Sequence, residues 1–261
     1  MLLSGEFDIH IINACNLSCK RCSILDFSFD QEEKGVINKF QTYEEVVKQV
    51  ELIKDWGYQL ETLKILGGEP TTHPKFPEIV DYLVNSQVAK RVWVNTNALN
   101  MTEKVIKACS KLDKVLISVY PLVDININQL KLWKDSGMAK EFNKTHITLI
   151  DAFECYGEGQ PHIEYSQKLN WKRCWQKFNC RVIEGDQLYQ CSVSYGEKAE
   201  GMHISEWGTK LGTMLDLCAR CPFPPKYKKW ESLKPTKDKR NLAKGLKLWN
   251  EYKNKINLRE I

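Results

Sequence analysis

Cys15, Cys19 and Cys22 stand in one short segment, N-A-C-N-L-S-C-K-R-C, directly after an apolar stretch. Their spacing lets three thiolates converge on a single small polynuclear centre. Iron–sulfur clusters are normally held by cysteine thiolates, and a 4Fe–4S cube needs four ligands. Here one loop supplies only three, so one iron is left open to bind another molecule instead of merely passing electrons. Zinc is the competing reading, but structural zinc is closed by four ligands. His10 as a fourth ligand would have to reach back from the strand that precedes the loop.

A second candidate is Gly67-Gly68-Glu69-Pro70. Two glycines let backbone approach a ligand closely, and the carboxylate can accept hydrogen bonds from an ammonium. Alone, the tetrapeptide could be a turn between strand and helix.

Both segments need elements to position them. Short apolar runs at Phe7–Ile12, Thr62–Leu66, Arg91–Val94, Val115–Val119 and Ile147–Ile150 read as strands of a largely buried parallel sheet. Between the first two, Tyr43, Val46, Val47, Val50 and Ile53 share a helical face. Thr42 with Glu45 is suited to cap that helix, and Gly57 to end it. Weaker helical patterns follow at 76–86, 102–111 and 126–136. Repeated βα units imply a parallel sheet, open or curled into a partial barrel. The cysteine loop and the Gly-Gly-Glu-Pro segment then both fall at C-terminal strand ends, where α/β folds place ligands.

In combination these motifs resemble the radical S-adenosylmethionine (SAM) superfamily, marked by C-x-x-x-C-x-x-C and a G-G-E-P-like segment. The resemblance covers roughly residues 7–152. It implies an α/β fold, a partial (β/α) barrel of about five to six parallel strands, with a small C-terminal cluster-binding domain. It further implies that the open iron of a cluster on Cys15, Cys19 and Cys22 chelates SAM. Reductive cleavage then yields a 5′-deoxyadenosyl radical that takes a hydrogen atom from the substrate. By position, Gly67, Gly68 and Glu69 match the motif that holds the methionyl amino group. Asn95, Thr96 and Asn97, and Ser118 with Tyr120, match where the family binds ribose and carboxylate. One departure is Arg21, where the family usually carries an aromatic residue before the third cysteine.

Five further cysteines fall late in the chain: Cys174, Cys180 and Cys191, then Cys218 and Cys221 as C-x-x-C. Between Cys180 and Cys191 the sequence reads as a hairpin turning at Glu184-Gly185-Asp186. This stretch lacks enough periodic apolar sequence for its own core, so a second centre with four protein ligands is expected to hold it. Zinc remains open there. The region resembles the auxiliary 4Fe–4S extensions called twitch and SPASM domains, one cluster fitting the cysteine count better than two. Cys191, Cys218 and Cys221 lead as ligands, with Cys174 and Cys180 competing for the last place. The radical SAM dehydrogenase of aminoglycoside biosynthesis is similar in length and layout. The segments C-N-L-S-C-K-R-C-S, G-G-E-P-T-T-H-P and I-S-V-Y-P-L also resemble radical SAM enzymes of glycan biosynthesis.

Ten cysteines in 261 residues, without a secretory-type N-terminus, point to a reducing compartment and to metal rather than disulfides. We expect a cytoplasmic chain with no membrane span, divided into a barrel over 1–152, an auxiliary cluster domain over 153–238 and a basic helix over 239–261. From Lys226 onward there are 12 Lys/Arg against 4 Asp/Glu. Such a tail suits an acidic partner or a solvated face, and no aromatic–basic interleaving points to nucleic acid.

The leading functional reading is oxidation of a small polar substrate of sugar or polyol type, phosphorylated and nucleotide-linked forms included, with flavodoxin or ferredoxin as electron donor. Peptide modification is the alternative. Epimerisation is a third, with Cys109, Cys155 or a spare cysteine as hydrogen donor. A zinc-stabilised binding protein is the reading from outside enzymology. His73, His162 and His203 are the available acids or bases.

Overall fold

The structure, a computed structural model, describes residues 1–16, 41–119, 145–149, 174, 180–191, 195 and 201–210. Five strands, β1 (Leu2–Ile12), β2 (Gln59–Gly67), β3 (Ala89–Thr96), β4 (Lys114–Val119) and β5 (Thr145–Leu149), pair in parallel in that order. Three helices connect the first four strands: α1 (Tyr43–Asp55), α2 (Phe76–Ser86) and α3 (Glu103–Cys109). This is the mixed α/β, mostly parallel architecture of a partial (β/α) barrel. The strands extend beyond the apolar runs because ladder pairing carries into polar ends, as where Leu2 sits opposite Gln59. Among the described residues, no helix is long and apolar enough to cross a membrane.

α1 begins as its sequence predicts. The Glu45 N–H donates to Thr42 Oγ1 at 3.2 Å and the Thr42 N–H to Glu45 Oε2 at 2.7 Å, a reciprocal capping box. Beyond the Trp56 cap, Gly57 takes φ +70°. Gln49 joins Val46, Val50 and Ile53 on the buried face, where the hydrophobic pattern places Val47.

The two faces of the sheet differ in chemistry. Residues in register on parallel neighbours point to the same side. Phe7, Ile9, Leu63, Ile65, Val92, Val94, Val115 and Ile117 form one face, which packs with Val46, Ile79 and Val105 of the helices in one apolar core. The opposite face carries Asp8, Lys64, Trp93 and Lys114 in one row across four strands. There the Lys64 ammonium lies 3.0 Å from both Glu6 Oε2 and Asp8 Oδ1, and Lys114 Nζ sits 4.4 Å from the Trp93 ring centroid.

The sheet continues past β1. β6 (Arg181–Glu184) pairs parallel to β1, then β7 (Gln187–Tyr189) and β8 (Met202–His203) follow antiparallel, giving the order β5-β4-β3-β2-β1-β6-β7-β8. The hairpin thus turns at Glu184–Gln187, with Gly185 at φ +61°. Ile183, Leu188, Met202, Ile204 and Trp207, the last in the short helix α4 (Trp207–Lys210), join the main core. A segment too poor in apolar sequence to bury itself is stabilised here by packing on the barrel. The expected helices at 126–136 and 240–256 lie outside the described residues.

Candidate active site

The C-terminal ends of β1, β2 and β3 converge. The Gly68 N–H donates to Ile12 O at 2.7 Å and the Glu69 N–H to Ala14 O at 2.9 Å, knitting the end of β2 to the backbone that leads into Cys15. Gly67 takes φ +154°, and a Cβ there would lie 2.2 Å from Ile12 O. A Cβ at Gly68 would lie 2.1 Å from Ala14 O. The two glycines therefore admit the chain's own cysteine-bearing backbone on their Cβ side.

Glu69 is only 1% exposed. Its Oε1 accepts from Thr71 N at 3.1 Å, Thr71 Oγ1 at 2.6 Å and Thr96 Oγ1 at 2.7 Å. Its Oε2 accepts from Asn97 N at 2.7 Å. Burial pushes this carboxyl above its usual range, against the pull of those four donors. A carboxylate has about four lone-pair sites, and Oε1 is crowded while Oε2 carries one bond among the described residues. Oε2 is the atom with capacity left for an ammonium.

Asn97 extends the network. Its Oδ1 accepts from Leu99 N at 2.9 Å, which sets the amide so that Nδ2 donates to Asn16 Oδ1 at 2.7 Å and reaches Cys15 Sγ at 3.9 Å. Thr96 Oγ1, besides donating to Glu69, accepts from Ala98 N at 3.0 Å. Asn95 Oδ1 is buried with no hydrogen-bond partner among the described residues, an orphan that a donor from a bound molecule would satisfy. Ser118 is half-buried on β4, opposite Thr148. Cys19, Cys22 and Tyr120 lie outside the described residues.

Thr71, Leu99 and Asn16 are partners that motif reading missed, since a threonine four residues past a strand end carries no pattern of its own. His73 is another. Its Nδ1 accepts from Lys75 N at 3.0 Å, so Nε2 carries the proton and donates to Gln41 O at 2.8 Å. Gln41 N in turn donates to Ile11 O at 3.0 Å. With both ring nitrogens committed and the ring buried, His73 fastens a backbone and is not placed as an acid or base. His203 is exposed, bonded to Ser205, and His162 lies outside the described residues.

Residues 9–127, which contain every part of this network, match the sequence model of the radical SAM superfamily. No curated protein matches the chain by sequence. Among solved structures it is similar to BtrN in complex with AdoMet and 2-DOIA, at TM-score 0.56 and 12% identity, covering 85% of this chain and 94% of that one. It is also similar to Streptococcus suis SuiB bound to S-adenosylmethionine, at TM-score 0.50 and 13% identity, covering 78% of this chain and 64% of SuiB. At these identities the likeness is one of fold.

The residues present fit the cofactors that the radical SAM superfamily uses. Cys15 is a partly buried cysteine in no disulfide, facing an amide donor, and the unpartnered Asn95 oxygen lies at the same strand-end edge. Of the later cysteines, Cys174, Cys180 and Cys191 are partly buried, while Cys218 and Cys221 lie outside the described residues. The β6–β7 ladder ends with Val182 opposite Tyr189, and Cys180 and Cys191 each stand two residues beyond it at the open end of the hairpin. Cys180 sits where burial and the charges of Asp8, Glu6 and Cys191 push its thiol up to about 12, with Lys64 opposing. Cys109 is fully buried in the core, closed to any substrate.

Proposed function

We propose that this chain is a radical SAM oxidoreductase that takes a hydrogen atom from a small polar substrate, of sugar or polyol type, and completes a two-electron oxidation. The observation that carries the reading is the convergence of Cys15, Glu69 and Asn97 at three adjacent strand ends. A 4Fe–4S cluster on Cys15, Cys19 and Cys22 would supply the electron that cleaves SAM to a 5′-deoxyadenosyl radical. The chain's own residues bind and orient. Glu69 Oε2 receives the methionyl ammonium, Gly67 and Gly68 hold that carboxylate against the cysteine loop, and Asn95, Thr96, Asn97, Ser118 and Tyr120 line the ribose and carboxylate side. The substrate meets the sheet face that carries Asp8, Lys64, Trp93 and Lys114, a polar wall suited to hydroxyl groups.

In this reading residues 1–152 are the barrel, 153–238 an auxiliary unit docked on β1, and 239–261 a basic helix. Cys191, Cys218, Cys221 and either Cys174 or Cys180 would hold an auxiliary 4Fe–4S cluster, which would supply a site for the second electron. A flavodoxin or ferredoxin in the cytoplasm supplies the first. The likeness in fold and length to BtrN, whose structure holds AdoMet and 2-DOIA, favours a small molecule over a peptide.

Anaerobically purified protein should carry close to two 4Fe–4S clusters and release 5′-deoxyadenosine from SAM under strong reductant. Cys19→Ala should abolish that release. Deuterium should pass into deoxyadenosine from a deuterated sugar or polyol. Transfer from a peptide alone would establish the maturase alternative, product that has exchanged the abstracted deuterium for solvent hydrogen without net oxidation would establish epimerisation, and stoichiometric zinc without iron would sink the enzyme reading.

A further inference from the structure

Asn97 is held from three sides. Its backbone N–H is fixed by Glu69 Oε2 at 2.7 Å, its Oδ1 by the Leu99 N–H at 2.9 Å, and one Nδ2 hydrogen by Asn16 Oδ1 at 2.7 Å. Nδ2 also lies 3.9 Å from Cys15 Sγ, the outer reach of a bond to so large an acceptor. The residue is 5% exposed, so water does not compete freely for that contact. The amide is thus oriented by its own neighbours, with Nδ2 within reach of a sulfur that would carry growing negative charge.

We propose that Asn97 tunes the reduction potential of the cluster that Cys15 ligates, by donating an N–H···S hydrogen bond to the Cys15 sulfur. This rests on the functional reading above, in which Cys15 is a cluster ligand. Hydrogen bonds to cluster sulfurs are among the determinants of iron–sulfur potentials. The reduced cluster holds one more electron, shared with its thiolates, so a donor at sulfur stabilises the reduced form and raises the potential. Asn97 then makes the first electron easier to load. Glu69 and Leu99 act on the same quantity indirectly, by fixing the orientation of the amide.

The test is an anaerobic redox titration of full-length wild type, Asn97→Ala and Asn97→Asp, following the EPR signal that added SAM perturbs, with iron and sulfide measured on each. Asn97→Ala should lower the reduced-to-oxidised ratio about tenfold at the poise where wild type is half reduced, equivalent to about 59 mV for a one-electron couple. Asn97→Asp keeps the shape but turns the donor into an acceptor, and should lower the ratio further. Full iron content with unchanged potentials in both variants would overturn the proposal. So would loss of iron in both, which would make Asn97 structural only. Wild type that takes up no iron would instead overturn the functional reading beneath it.

Discussion

Thr96 Oγ1 donates to Glu69 Oε1 at 2.7 Å, joining the ends of β3 and β2 through two side chains 27 positions apart. The same hydroxyl accepts from the buried Ala98 N–H at 3.0 Å, so one oxygen serves two buried partners. Thr96→Val keeps the shape and removes both bonds, leaving an amide unsatisfied. Stability should fall by about 1–3 kcal/mol, the range for stranding a buried polar group. Denaturant unfolding measures that loss. Deoxyadenosine formation should also show a raised KM for SAM, because Glu69 loses one of the donors that aim it.

Gly68 and Gly57 should respond to alanine in opposite ways at the site. A Cβ at Gly68 would meet the backbone oxygen of Ala14 at 2.1 Å, an atom that cannot rotate away. Gly68→Ala must push the strand-end backbone off the approach to Cys15. It should cost about 1–3 kcal/mol, as overpacking does, and reduce iron uptake on reconstitution. Gly57, at φ +70°, has nothing within 4 Å of its would-be Cβ. Gly57→Ala should cost about 1 kcal/mol of backbone strain with iron content unchanged.

Burial pushes the Cys109 thiol from 9.0 up to about 12, with the Glu69 charge adding to it. A raised folded pKa means that the unfolded chain releases this proton first. The associated stability is complete below pH 9, and is lost as pH rises from there through about 12. The decline is about 1.4 kcal/mol per pH unit for one proton. Cys109→Ala should flatten that part of the alkaline unfolding curve, beyond a pH-independent packing loss. In native protein at neutral pH, Cys109 should resist a thiol reagent, which also removes it as a hydrogen donor for epimerisation.

The parts of this fold that local sequence determines were readable in advance. Thr42 and Glu45 announce the start of α1 because a capping box involves residues three apart, and the apolar runs mark the strands. Glu69 stood out as functional by its motif. Its commitment to Thr71, Thr96 and Asn97 did not, because two of those partners arrive only through the parallel register of β2 with β3. The hairpin was legible from its turn residues, whereas its attachment was not. Nothing in R-V-I-E specifies pairing to β1, since an edge strand accepts any partner of fitting shape. The charged Arg181 at its start also reads as exposed, though it is among the most buried side chains described.

Arg181 gives the last prediction, because it decides how the hairpin is held. Its guanidinium donates through Nη1 to Ser4 O and lies 5.1 Å from the centre of the Phe7 ring, beside the β1 residues that β6 pairs with. A buried charge is tolerated only where such partners replace water. Arg181→Met keeps much of the stem volume and removes the charge-assisted bond, which is worth about 1.5–3 kcal/mol. The loss should be local: amide hydrogen exchange should accelerate in β6 and β7 while β2 and β3 stay protected. Arg181→Lys should restore charge without the planar fork and recover only part of the protection. Equal acceleration across all strands would mean that the hairpin is part of the global folding unit and not a docked attachment.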